Sequence, residues 1–176
     1  RQVFTSPRLA NVEAVAQMLE DAGIATRITN GRSYRGNFDR GISYRNREGG
    51  DSEQAAAQAS MTVRDDSPRL STPTESKATF VEFLDFECEG CGAAYPAVEQ
   101  LRQTYGDQVT FVVRYFPIDG HANSMNAAVA VEAAAQQGRF EDMYERMYQT
   151  QPEWGEQQES KAPLFRQFAQ ELGLDI

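Results

Sequence analysis

Two cysteines, Cys88 and Cys91, are the whole thiol content of the chain, and they stand in a C-x-x-C spacing. A pair so placed, with no other cysteine to bridge to, points to redox or metal chemistry rather than a disulfide framework. Ahead of it, residues 79–86 (TFVEFLDF) are apolar on both faces of a period-two pattern, which predicts a strand buried on both sides. Behind it, Ala93 to Tyr105 holds good helix formers, with Ala94, Val98, Leu101 and Tyr105 on one stripe. The dithiol is therefore expected at a strand-to-helix corner. The free N–H groups and partial positive charge of a helix N-terminus favour a thiolate at Cys88, and can bring a cysteine pKa to roughly 3.5–7.5. Cys88 is the expected nucleophile. Cys91, a turn further along the same face, is placed to attack a mixed disulfide at Cys88 and release it.

Glu82 falls between Phe80 and Leu84, as a carboxylate in an apolar layer beneath the thiols. Burial is expected to raise its pKa and to suit it to carry a proton to or from Cys91. Glu89 and Gly90 separate the thiols, and the charge of Glu89 opposes the helix dipole, so the direction of the couple stays open. Other chemistries find less support. A zinc site needs about four ligands, and Cys88, Cys91 and His121 supply three at most, so no metal is expected. No serine stands in a G-x-S-x-G elbow of the hydrolase type. His121, the single histidine, reads as a turn residue before a helix, with a place near the dithiol as its functional alternative.

Glu82 six residues before Cys88, the C-x-x-C opening a helix, and Pro96 eight residues after Cys88 together resemble the thioredoxin superfamily, and within it the DsbA-like thiol oxidoreductases. The resemblance runs over residues 64–176, through FVVRYFPIDGHANSMNAAVAVEAAAQQGRFEDMYERMYQTQPEW. It implies a thioredoxin-like α/β fold with a helical insertion, and a thiol-disulfide oxidoreductase acting on protein thiols and disulfides through Cys88, Cys91 and Glu82. It implies no organic cofactor, because the dithiol itself cycles. Members of that family are often extracytoplasmic. They also carry a late strand opened by a cis-proline that faces the dithiol; Pro117, Pro152 and Pro163 match no such position. An incomplete, C-terminally truncated domain with impaired competence is therefore expected, its central strand in need of cover from the N-terminal strands, a second chain, or nothing at all in a composite chain.

Residues 1–59 read as a separate small module. Gln2–Thr5 alternates, Asn11 can cap a helix striped by Val12, Val15, Ala16, Leu19 and Ala22, and Ile24–Thr29 reads as a second strand, giving a βαβ unit. The stretch RQVFTSPRLANVEAVAQMLEDAGIATRITNGRSYRG resembles a small bacterial domain family with a ferredoxin-like plan, linked to signal transduction, and carries no catalytic residue across. Residues 31–50 interleave five arginines with Tyr34, Phe38 and Tyr44. Such a loop could clamp phosphates and stack bases, but Asp39 and Glu48 dilute it; a surface loop is expected, with a non-catalytic signalling or nucleic-acid-binding module as the alternative function.

Residues 60–77 read as a linker or short strand, with Met61–Arg64 the candidate strand and 65–76 (DDSPRLSTPTES) the connection. The segment VRDDSPRL resembles both families, as the join of a chimera would. Charge divides at the same place: 10 Arg against 9 acidic residues over 1–70, then 7 basic against 17 acidic over 71–176. The acidic half should bind neither nucleic acid nor an anionic membrane. Composition, 40% hydrophobic and 24% charged, is that of a globular chain, no run approaches a membrane span, and RQVFTSPRLANVEA lacks the apolar stretch of a signal peptide. Downstream, Val109–Phe116 should be a second buried strand, Asn123 the cap of a helix to about Gln137, and the Met143, Tyr144, Met147 and Tyr148 stripe core packing rather than a cofactor box.

Overall fold

The computed structural model describes the backbone of residues 2–6 and residues 62–176. In chain order these form β1 (Gln2–Ser6), β2 (Arg69–Ser71), β3 (Ala78–Leu84), α1 (Glu89–Tyr105), β4 (Val109–Tyr115), α2 (Ser124–Gln136), α3 (Phe140–Trp154) and α4 (Ala162–Glu171). The result is a mixed α/β fold around a four-stranded sheet of order β1-β3-β4-β2. β1 and β4 flank β3 in parallel, with Ser6 opposite Glu82 and Leu84 opposite Tyr115, while β2 runs antiparallel to β4. The edge of β3 away from β4 is thus taken by the N-terminal strand. The rest of the N-terminal module, including the expected helix after Asn11, the strand at 24–29 and the arginine-rich loop at 31–50, lies outside the described residues.

The strand leading to the dithiol stops at Leu84, two residues earlier than its apolar pattern suggests. Asp85 ends it: its carboxylate Oδ1 accepts the Glu87 N–H at 2.8 Å and its carbonyl accepts the Cys88 N–H at 3.2 Å, which turns the chain. The helix then starts at Glu89 with Cys88 at its N-cap, which puts Cys91 in its first turn as expected, and runs through Pro96, which has no N–H to give. Residues 60–77, expected as linker or short strand, do hold a short strand, but not at the candidate position. Residues 62–64 are not strand; the short strand is β2, in the stretch expected to be connection. Its three residues follow no apolar pattern, and side-chain contact secures them: Ser71 Oγ donates to the Val109 carbonyl at 2.7 Å and accepts the Phe111 N–H at 3.2 Å.

Asn123 stands at the N-cap of α2 as expected, but its side chain makes no cap bond. It faces the 157–161 loop instead, where Nδ2 donates to the carbonyls of Gln157 (2.8 Å) and Glu159 (3.1 Å) and Oδ1 accepts the Lys161 N–H (2.7 Å). Tertiary partners have outcompeted the local cap. Beyond α2, Gly138 takes the left-handed backbone (φ 73°) that stops a helix at low cost.

The core lies between the sheet and the helices. Phe86, on the turn after β3, packs its ring on Tyr148 (5.2 Å between centroids), Tyr144 (6.0 Å) and Tyr115 (6.2 Å). Trp154 meets Phe165 edge-on at 4.8 Å and joins α3 to α4. Met143, Tyr144, Met147 and Tyr148 are buried. Phe86 thus nails the turn that carries the thiols to the helical layer. Phe86→Ala is expected to lower the unfolding free energy by about 3–5 kcal/mol, read from urea unfolding; a loss under about 1 kcal/mol would mean that the ring is dispensable there.

Candidate functional site

The turn from β3 into α1 assembles the site, because it compresses the end of a buried strand and the start of a helix into four residues. Cys88 and Cys91 are both half-buried free thiols, Cys88 at the N-cap and Cys91 in the first turn of α1. The two thiols stand three residues apart, one at each side of the helix start. Burial pushes the Cys91 thiol up to about 12; the Asp85 backbone hydrogen bond pulls against that, and the charges of Cys88 and Glu82 add to it.

Glu82, on β3, is 4% exposed, and its Oε2 has no hydrogen-bond partner. Burial first, and the charge of Glu99 second, raise its carboxyl from the ordinary 4.5 to about 7. The Tyr144 and Tyr148 hydroxyls, from α3, are likewise buried without a hydrogen-bond partner. Burial and then Glu82 hold both phenols well above their usual range. The structure therefore brings Cys88, Cys91 and Glu82 into one neighbourhood, with a tyrosine pair of α3 over it.

His121 is a turn residue, its N–H bonded to the Ile118 carbonyl at 2.9 Å. Its ring also reaches the dithiol's surroundings: Nδ1 lies 2.6 Å from Asp85 Oδ2, which in addition accepts the Ile118 N–H at 3.1 Å. The turn expected of this histidine is present, and its ring is bonded to the residue that ends β3.

Three residues of the site escape a reading of the sequence. Asp85 is buried and ties the turn to the 118–121 segment. Glu87, 1% exposed and next to the expected nucleophile, has both side-chain oxygens engaged: Oε2 accepts the Asn123 N–H at 2.6 Å and Oε1 the Glu156 N–H at 3.1 Å. Gln151 of α3 donates through Nε2 to the carbonyls of Phe86 (2.7 Å) and Cys88 (2.9 Å). An acid flanking the C-x-x-C is a faint signal for Glu87; nothing local marks Gln151, which is 63 residues from Cys88. Among the described residues no group of three or more His, Cys, Asp and Glu side chains is placed to hold a metal ion, and no helix is long and apolar enough to cross a membrane.

Among curated proteins, the Na(+)/H(+) antiporter NhaA 3 of Salinispora tropica is 39% identical over 117 residues, 66% of this chain and 17% of that protein. NhaA 1 of Mycobacterium sp. (strain KMS) is 35% identical over 105 residues, 58% of this chain and 16% of its own length. NhaA of Herminiimonas arsenicoxydans is 43% identical over 68 residues, 39% of this chain and 11% of its own. The chain thus spans less than a fifth of these relatives. No solved structure matches it. A family model described as Thioredoxin matches residues 72–174. That span takes in β3, α1, β4 and the three later helices, and on that ground the chain belongs to the thioredoxin family.

Proposed function

We propose that the chain is a thiol-disulfide oxidoreductase of DsbA-like type, exchanging disulfides with protein thiols through Cys88 and Cys91. The observation that carries it is a pair of half-buried free thiols at the start of a helix, with the buried, unpartnered Glu82 carboxyl on the strand that leads to them. Glu82, Cys88, Cys91, Pro96 and the helices that follow β4 support the DsbA-like assignment. Ion antiport, the activity in the relatives' names, is no part of it, because the chain spans 17% or less of those proteins. A composite origin, with its join near residues 60–70, belongs to the same proposal, and the genomic reading frame across the join tests it.

In the reducing direction, the Cys88 thiolate attacks one sulfur of a substrate disulfide. The substrate S–S bond breaks, a Cys88–substrate mixed disulfide forms, and the other substrate sulfur leaves with the electron pair and takes up a proton. Cys91 must then lose its proton, and at about 12 its thiol does not do so unaided near pH 7. Glu82, near 7, is matched to accept that proton. The Cys91 sulfur attacks Cys88, the mixed disulfide breaks, and the second substrate thiol departs. Two electrons have passed to the substrate, and an external dithiol resets the Cys88–Cys91 disulfide. The oxidising direction is the same path reversed.

Cys88→Ser should abolish insulin reduction, whereas Cys91→Ser should trap a mixed disulfide visible by mass spectrometry; activity surviving the first substitution would remove the proposal. Glu82→Gln should slow release of that mixed disulfide at pH 7 by about a hundredfold, and an unchanged release rate would take the proton-carrying role from Glu82. The same carboxyl marks stability. Between its ordinary 4.5 and about 7 the unfolded chain has given up the proton and the folded chain has not, so stability falls as pH rises through that window. The loss is on the order of 3 kcal/mol. Urea unfolding at pH 4.5 and pH 8 should show this fall in the parent and not in Glu82→Gln, and parallel behaviour of the two would refute the assignment.

A further inference from the structure

We propose that Gln151 is a positioning residue for the dithiol: its amide, reaching across from α3, holds the Cys88 peptide so that the sulfur stays over the free N–H groups of α1. This rests on the oxidoreductase reading above and deepens it. The Gln151 Nε2 atom gives its hydrogens to two carbonyls of the active turn, Phe86 at 2.7 Å and Cys88 at 2.9 Å. The Cys88 carbonyl is also the acceptor of the first helical bond, from Gly92 N–H at 3.0 Å. Gln151 therefore grips the peptide from which the helix grows. No side-chain bond caps α1 at Cys88, so this tether comes from another element.

Gly92, the residue after Cys91, carries the second observation. It lies inside α1, where no left-handed backbone calls for glycine. A Cβ built there would fall 1.9 Å from Gln151 Oε1 and 2.7 Å from its Cδ. The helix interior bears a residue of poor helix propensity at the one place where the amide of Gln151 needs the space. The end of α3 is secured to the same turn from the other side, through Glu87 Oε1 and the Glu156 N–H at 3.1 Å. Stabilisation of an anion at a helix N-terminus fades within the first turn. A small shift of the Cys88 peptide should therefore change how readily that sulfur ionises, even in a well-folded protein.

Alkylation of Cys88 by iodoacetamide across pH tests this in the full chain, with Cys91→Ser as a common background so that one thiol reacts. Gln151→Met removes both donors at similar size, Gly92→Ala displaces the amide while raising helix propensity, and Gln151→Lys restores a donor. The other ionisable groups around the thiols, Glu82 on β3, Asp85 with His121, Glu87 in the turn, Glu89 on α1 and Tyr144 and Tyr148 on α3, are the same throughout. Gln151→Met and Gly92→Ala are expected to slow alkylation at pH 6 by about three- to tenfold and to move its pH midpoint up, with Gln151→Lys at or above the parent rate. A merely structural contact would change the melting temperature and leave the midpoint in place. An unmoved midpoint in Gln151→Met and Gly92→Ala overturns the proposal; Gly92→Ala keeps it open to refutation should Gln151→Met fail to fold. If Cys88→Ser abolishes insulin reduction while these midpoints stay put, Gln151 alone loses its role; if that reduction survives Cys88→Ser, the oxidoreductase reading falls instead.

Discussion

The four residues between β3 and α1 are held one by one from four directions, and the site depends on that. Asp85 is tied to the 118–121 segment, the Phe86 ring is packed among tyrosines, Glu87 is bonded to the ends of α2 and α3, and the Cys88 carbonyl is bonded to Gln151. A turn this short would otherwise leave backbone and carboxylate groups stranded away from water, each costing about 1–3 kcal/mol. Here the helical layer supplies the missing partners. The helices after β4 are thus more than cover for the sheet: they define where the first thiol stands.

Glu82 is the exception, and it sharpens the contrast with Glu87. Both carboxyls are buried within five residues of each other, yet Glu87 receives two backbone N–H groups and Glu82 Oε2 receives none. A satisfied carboxylate is fastened; an unsatisfied one is drawn toward its neutral form. Retaining the second kind under a thiol costs stability, which is the usual relation between a reactive site and the fold that carries it.

The sequence carries the positions of Glu82, Cys88 and Cys91 because period-two and helical patterns are local, and the buried strand, the helix and the α3 core stripe are local too. It conceals what depends on chain folded back from far away. Asn123 looks like a cap, and is one by position, yet its side chain serves a loop 34–38 residues on. β2 has no pattern to find, since pairing with β4 makes it a strand. The early end of β3 reflects a competition between an apolar Phe86, which would extend the strand, and Asp85, whose own hydrogen bonds bend the backbone first.

β1 sets the topology of assembly. β2, β3 and β4 come from one stretch, 69–115, whereas the ladder joining residues 2–6 to 78–82 closes by far the longest loop in the sheet. Loop closure over such a span is entropically dear and slow, and long-range parallel pairing is what retards folding most. The expected order of events is that the dithiol unit condenses around its own short-range contacts and β1 zips on last. In hydrogen exchange that strand should be the first cooperative unit to open, baring one flank of the central strand while the thiol turn stays intact.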